Sequence, residues 1–199
     1  MSTFIKEKFT NIYLTNYWNG SESKSGPGSN LNQTYNLRKW LTELIQKFRI
    51  KSILDVPCGD YNWMSHSDLK GIYYEGWDIV DDIIQNNLKK HPFTKFKVEN
   101  IVNTVPSGFD LILCRDLLSH YDRDDGLKIL NNLRNSGAKY LLINTYANTS
   151  VNQSIKTGEW FPINLTLSPY NLPKYSDSIE DWPENEFNYS SKLMALWIL

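Results

Sequence analysis

Several large classes of protein are excluded by what this sequence lacks. It has only 2 cysteines, Cys58 and Cys114, far apart and with no CxxC or Cys/His cluster around them. That rules out a disulfide framework or a zinc site built from these residues, and leaves reduced thiols in a cytoplasmic protein as the expectation. No apolar run approaches the roughly 18 residues that would cross a bilayer, and residues 1–30 lack the basic-then-apolar order of a signal peptide, so neither a membrane span nor export is expected. Charge leans to neither side. With 21 basic against 22 acidic residues, interspersed, there is no basic footprint for nucleic acid, where many phosphates must be neutralised. The Asn-x-Ser/Thr triplets at Asn148 and Asn164 arise in an Asn-rich chain and are not read as glycosylation sites. No internal repeat is visible.

What is present describes one folded unit. A chain of 199 residues, 41% hydrophobic and 14% aromatic, is long enough to bury its own core. Leu37, Trp40, Leu41, Leu44, Ile45 and Phe48 recur at three- and four-residue spacing, which predicts an amphipathic helix within 31–48. Short β-prone runs follow at 51–56, 72–78, 96–99, 109–115 and 140–145. Helical patterns separate them at 79–90 and at 122–135, the latter opening on acidic residues and stopping at Gly137. Strands alternating with helices predict right-handed βαβ units: an α/β, Rossmann-like fold with a mostly parallel sheet and helices on both faces. The apolar end, 192–199, predicts an antiparallel closing strand. The single domain 1–199 then divides into an N-terminal arm and lid (1–30), a ligand-binding core (31–147), a substrate-side insertion rich in Pro, Asn and aromatics (148–191) and the closing strand.

Open α/β sheets bind ligands beyond the carboxyl ends of their strands, so the turn after the first strand matters most. It reads Asp55-Val56-Pro57-Cys58-Gly59-Asp60. A dinucleotide fold needs three glycines there and a P-loop needs Gly-Lys-Ser/Thr; neither is present. One glycine between two carboxylates suits a cationic or zwitterionic ligand better than a phosphate. Asp78 ends the second strand, about twenty residues further on, where an acid holds ribose hydroxyls in this architecture.

These residues resemble the first motif of the class I S-adenosylmethionine-dependent methyltransferases, in a subgroup variant that runs on through Trp63-Met64. Further blocks match the subgroup: Ser25-Gly26-Pro27-Gly28-Ser29, Trp77 to Val80, Asp110 to Asp116 with Ser119-His120, and Gly158-Glu159-Trp160 through Asn164 to Pro173. They span nearly the whole chain. Proteins of this kind are encoded with surface-polysaccharide genes of bacteria and glycan-building genes of large DNA viruses. The resemblance implies S-adenosyl-L-methionine as cofactor, a sugar or glycan acceptor, rhamnose being one candidate, and fusion to or association with glycosyltransferase domains. It implies that Asp55 and Gly59 shape the methionine-side pocket, that Asp78 accepts from the ribose and that Ile79 packs on adenine. The resemblance also implies that Pro57, Asp60, Trp63, Cys114 and Arg115 belong to the same cofactor surface. After the third strand, where the family often has an acid reaching the adenine amine, this chain has Asn100-Ile101; Asn can still accept through its carbonyl.

A sugar hydroxyl is a poor nucleophile at neutral pH and needs a base as the bond forms. Asp116 and His120 follow the fourth strand, and their i,i+4 spacing predicts a shared helical face. His120 is the candidate base, with Asp116 orienting it or serving as base itself; alternatively Asp116 caps the next helix and His120 merely packs. Trp18, Asn152, Trp160, Asn164 and Tyr170 are candidates for substrate contact, since aromatic faces with amides match a sugar surface. A lid of Tyr17, Trp18 and the Gly26 to Ser29 loop is a further candidate. His66 and His91 read as surface residues. No second carboxylate stands beside Asp116, so no metal site is expected, although a divalent ion acidifies the hydroxyl in some sugar methyltransferases. Two other readings stay open: an amine or phosphate-linked small-molecule acceptor, and a cofactor-binding module that has lost catalysis.

Overall fold

A computed structural model describes residues 2–181 and 192–199; the part of the expected 148–191 insertion beyond Asp181 lies outside them. Its elements are helices α1 (Ser2–Leu14), α2 (Tyr35–Phe48), α3 (Asp81–Lys90) and α4 (Arg123–Arg134) and strands β1 (Ser52–Asp55), β2 (Tyr73–Asp78), β3 (Lys95–Val98), β4 (Leu111–Cys114), β5 (Tyr140–Tyr146), β6 (Asp177–Glu180) and β7 (Lys192–Ile198). The seven strands form one sheet in the order β3-β2-β1-β4-β5-β7-β6. The first five are parallel, and β7 is inserted antiparallel between β5 and β6. The expected α/β sheet with an antiparallel closing strand is therefore present. Strand order reverses at β1, where β2 lies on one side and β4 on the other, so the turns after β1 and β4 open onto a common crevice.

Each face of the sheet carries a core of its own. The alternation within β1 sends Ile53 to one side, against Leu37, Leu41 and Leu44 of α2, and Leu54 to the other, against Ile129, Leu130 and Leu133 of α4. Strands β4 and β5 are buried along almost their whole length, as the near-continuous apolar runs of a doubly covered parallel sheet require. Helix α2 stops where Arg49 turns left-handed at φ 53°, and α4 starts at Asp122, whose carboxylate accepts from the Asp125 N–H at 3.0 Å.

Two segments differ from expectation. Residues 2–14, part of the expected N-terminal arm and given no secondary structure there, form α1, whose Phe9 and Tyr13 pack on Ile79, Val80 and Ile83 beside the crevice. Within 148–191, Asp177–Glu180 joins the sheet as its edge strand; its polar residues belong to an edge that faces water rather than a core.

Candidate active site

Three adjoining hollows run along the carboxyl ends of the strands. The first, about 80 Å³, lies under α1 and is lined by Pro57, Gly59, Asp78, Ile79, Val80, Ile83, Leu117 and Tyr121 together with Phe9 and Tyr13. The second, about 60 Å³, is walled by Asp55, Pro57, Cys58, Gly59, Asp60, Trp63, Arg115, Asp116 and His120. The third, about 350 Å³ and open to solvent, is lined by Tyr17, Trp18, Pro27, Asp116, His120, Tyr146, Glu159, Trp160 and Lys192. Trp18 and Ser25 line all three, so the segment between α1 and α2 is their common roof.

That roof is tied to the turn after β1. The Asp60 carboxylate accepts from Ser23 Oγ at 2.8 and 2.9 Å, from the Lys24 N–H at 2.9 Å and from Ser25 Oγ at 3.2 Å. Ser25 Oγ in turn accepts from the Asp60 N–H at 3.0 Å. Gly59, at φ 52°, is required twice over: its backbone is left-handed, and a Cβ there would run into Ser25 Oγ.

Burial decides the state of the two carboxylates along the inner hollows. Asp55 is withdrawn from water and pushed up to about 7; the Tyr74 hydroxyl, donating at 2.7 Å, opposes the shift, and Asp78 adds to it. Asp78 is raised to about 6 by the same desolvation, against the pull of the backbone N–H groups it accepts from, Val80 at 3.0 Å and Gly59 at 3.2 Å. Among the described residues, Lys24 of the roof is the one Lys or Arg that lines the hollow holding Asp78.

The far end has the opposite electrostatics. Asp116 follows β4 with φ 54°, an uncommon conformation for a non-glycine residue, and Asn144 on β5 accepts from its N–H at 2.8 Å. Burial alone would raise its carboxyl, but Lys192 Nζ at 2.7 Å and Arg115 Nη1 at 3.3 Å outweigh that and hold it down to about 2. His120 lies in a single 3-10 turn, 118–120, with the Trp18 ring against it at a centroid distance of 5.1 Å. Its Nδ1 is 3.0 Å from the Glu159 carbonyl oxygen, which only accepts, so Nδ1 carries the proton and Nε2 keeps a lone pair. Desolvation depresses its pKa, the Glu159 carbonyl and Asp116 oppose, and the imidazole is neutral at pH 7. The loop after β5 is stitched to this turn, with Gly158 N–H donating to the His120 carbonyl at 2.8 Å and Phe161 N–H to that of Ser119 at 3.0 Å.

Of the residues singled out in the sequence, Asp55, Pro57, Gly59, Asp60, Trp63, Asp78, Ile79, Arg115, Asp116, His120, Trp18 and Trp160 line this tract. Others lie elsewhere. Cys114 is fully buried in the sheet core and Ile101 packs beside it, while Asn100 Oδ1 accepts from the Val102 N–H at 3.0 Å in the turn after β3. Tyr170 packs in the core against α4, its hydroxyl close to Gly126. Asn152 and Asn164 serve the loop itself: Asn152 Nδ2 donates to the Asn164 and Ser168 carbonyls at 2.9 Å each, and Asn164 Nδ2 to Thr149 O at 3.1 Å. Loop backbone has no ladder to satisfy it, and these amides supply the partners instead of facing a substrate. Nor do Asp116 and His120 share a helical face: the left-handed kink and the 3-10 turn bring them to one cavity, and the cap of α4 is Asp122. His66 is exposed, as expected. Sequence reasoning missed Tyr74, Tyr146, Asp181 and Lys192; only Lys192 left a trace, as a lone charge opening an apolar strand.

No family model and no curated protein sequence matches the chain. Solved structures do. Magnesium protoporphyrin IX methyltransferase (ChlM) from Synechocystis PCC 6803, with bound SAM, superposes at a TM-score of 0.67 with 12% identity over 98% of this chain and 96% of that one. The methyltransferase domain of bacterial CtHen1 gives 0.61 at 16% identity, over 85% of this chain and 100% of that one. A S-adenosylmethionine-dependent methyltransferase from Clostridium acetobutylicum ATCC 824 gives 0.60 at 12%, over 85% and 92%. This chain therefore has the Rossmann-like fold of the S-adenosylmethionine-dependent methyltransferases.

Proposed function

We propose that the protein is an S-adenosylmethionine-dependent methyltransferase acting on a hydroxyl of a sugar or glycan, with His120 as the general base. The inner hollows fit the cofactor by their chemistry. An apolar wall of Ile79, Val80 and Ile83 suits adenine, the Asp78 carboxylate suits ribose hydroxyls, and the turn has neither the glycines nor the cations of a phosphate cradle. Asp55 and Asp78, raised by burial and with no ion pair among the described residues, favour a ligand that brings positive charge; Arg115, across the middle hollow, offsets only part of the shift at Asp55. The hollows are narrower than a nucleoside, so the Trp18 and Ser25 roof must swing away for binding.

When bound, S-adenosylmethionine supplies an electrophilic methyl group on a sulfonium. The chain's part is to hold the acceptor and take its proton. Tyr17, Trp18, Tyr146 and Trp160 offer aromatic faces to the apolar side of a sugar ring around the larger cavity. A hydroxyl that took up this methyl group, with the thioether leaving, would give its proton to Nε2 of His120. The Glu159 carbonyl and Asp116 stabilise the imidazolium that results. Asp116, held at about 2, is too weak a base for a hydroxyl and acts through its charge. A cytoplasmic site of action beside glycosyltransferase domains follows from the sequence resemblance alone.

The observation that carries the reading is the neutral His120 with its Nδ1 proton committed to a carbonyl, at the floor of an aromatic cavity. The test is transfer of a labelled methyl group to candidate saccharides, located by mass spectrometry. His120→Ala should lower turnover by roughly 10²- to 10⁴-fold while cofactor affinity stays within a few-fold. Label on a nitrogen acceptor, with His120→Ala nearly as active as the parent, would show the acceptor to be an amine.

A further inference from the structure

Beneath the acceptor cavity lies a four-charge cluster assembled from three distant parts of the chain. Asp181, directly after β6, is completely shielded from solvent, and so nearly are the side chains of Arg115, after β4, and Lys192, which opens β7. Arg115 grips Asp181 with two prongs, Nε to Oδ2 at 2.9 Å and Nη2 to Oδ1 at 3.0 Å. Lys192 Nζ reaches the same carboxylate at 3.0 Å, and the two strands are locked at this level by the Asp181 N–H donating to the Lys192 carbonyl at 2.9 Å. Both cations then converge on Asp116 Oδ2. Arg115 and Lys192 line the hollows; Asp181 does not.

We propose that Asp181 is a positioning residue: from behind the cavity it anchors Arg115 and Lys192, and through them fixes the Asp116 carboxylate and the electrostatic surroundings of His120. The cluster holds two positive and two negative charges, so it places a directed carboxylate beside His120 without net charge. A bidentate arginine is a rigid support of that kind, since two parallel bonds fix orientation as well as distance. Asp116 adopts a left-handed backbone, which persists only where the surroundings over-determine it; Asn144, Arg115 and Lys192 do so here, and two of these three depend on Asp181. The charged groups around His120 are Asp116 and Arg115 of its own turn, Lys192 of β7, Glu159 of the loop after β5, and Asp55 and Asp60 across the methionine-side hollow. Neutralising Asp181 leaves two cations facing one carboxylate and makes this environment more positive.

The proposal rests on the methyltransferase reading for its kinetics but not for its electrostatics, so two measurements separate them. The first is NMR titration of the imidazoles, of which the chain has 3, so His120 is assignable by substitution. In Asp181→Asn the His120 pKa should fall by on the order of half a unit to one unit, and in Asp181→Asn/Lys192→Gln it should return to the parent value. The second is the pH profile of turnover: its acid limb should move to lower pH in Asp181→Asn, with kcat down roughly tenfold or more and the acceptor KM within threefold. A folded Asp181→Asn whose His120 titrates as in the parent overturns the proposal, whatever its activity. Should that variant not fold, Lys192→Gln carries the test with the opposite sign: His120 should titrate higher, and an unmoved pKa overturns the proposal equally. A parent protein with no methyl transfer but with these His120 shifts would sink the enzymatic reading and leave Asp181 in its role.

Discussion

The carboxylates at the two ends of the crevice reach opposite results: Asp55 and Asp78 are buried, while Asp116 is only partly covered, its side chain 30% exposed. Around Asp55 and Asp78 desolvation wins: the partners are a tyrosine hydroxyl and backbone N–H groups, and the carboxyls are raised to about 7 and about 6. Around Asp116 two cations arrive with the carboxylate, and it is held at about 2. The charge of each site therefore follows from the balance of burial against the formal charge packed beside it. One end holds its carboxyls without an ion pair among the described residues and the other is already paired, which is why the first is proposed for a cationic cofactor and the second for an uncharged acceptor.

The most severe way to break this contrast is to remove one charge from the compensated end. Asp116→Asn leaves Arg115 and Lys192 facing Asp181 alone; losing one partner of a fully buried pair costs about 3 kcal/mol or more, and the 30% exposure of the Asp116 side chain makes that figure an upper bound here. Urea unfolding at pH 7 should show a loss up to that bound, with turnover falling at least tenfold. Asp55→Asn at pH 8 should do the reverse and leave stability unchanged or improved, because it removes a carboxylate whose burial outweighs both the Tyr74 hydrogen bond and the pull of Arg115. If both substitutions destabilise equally, the two ends are not electrostatically different.

A smaller effect appears in the pH dependence of the parent protein. An acid raised in the folded state contributes stability that is fully present below its unfolded pKa of 3.8 and is lost as pH rises through the folded value, near 7 for Asp55 and near 6 for Asp78. Asp116 is depressed, so its contribution is present above 3.8 and disappears only as pH falls through about 2. Between pH 5 and 8 the protein should therefore lose stability, with Asp55 accounting for roughly 3 kcal/mol as an upper bound. Asp55→Asn should flatten most of that slope, leaving the part due to Asp78. Over the same range the affinity for S-adenosylmethionine should rise, since ionised carboxylates are what its positive charge prefers. A stability curve flat from pH 5 to 8 in the parent would show that these acids are ionised throughout.

The two ends also differed in how far they could be read from sequence. The turn after β1 is local: Asp55, Gly59 and Asp60 lie within six residues, and Asp78 ends the next strand, so topology alone brings them together. The sheet was legible for the same reason, since β1, β4, β5 and β7 are apolar runs bounded by turn residues. The compensated end was only half legible. Asp116 and His120 stood out, but Asp181 and Lys192 reach them only because β6 pairs with β7, and β6 is a four-residue polar edge with no β signature. Asn152, Asn164 and Tyr170 show the reverse error: amides and an aromatic in a Pro-rich loop look the same in sequence whether they face a sugar or satisfy the loop's own backbone. Helix α1 escaped notice because it has neither an acidic first turn nor a basic last turn, and its aromatics pack locally on α3 and the turn before it.

The smallest expected effect lies where the two ends share a cover. Ser23, Lys24 and Ser25 donate to the Asp60 carboxylate and the Asp60 N–H donates back to Ser25 Oγ, so the roof carrying Trp18 is latched to the cofactor turn by bonds in both directions. Ser25→Ala deletes two of these, the one it donates to Asp60 Oδ1 and the one it accepts from the Asp60 N–H, at a cost of about 1 kcal/mol to the closed form. Because the hollows beneath are narrower than a nucleoside, the roof must move aside to admit the cofactor. Weakening the latch should speed association by a few-fold factor and tighten Kd by a similar factor, with little change in release. Stopped-flow fluorescence reads this through Trp18 in the roof and Trp63 in the wall of the middle hollow. Rates that do not change, in a variant that has lost the expected stability, would mean that the cofactor passes by another route, through the wide acceptor cavity beside Tyr17 and Trp160, and that the roof over Asp78 stays shut.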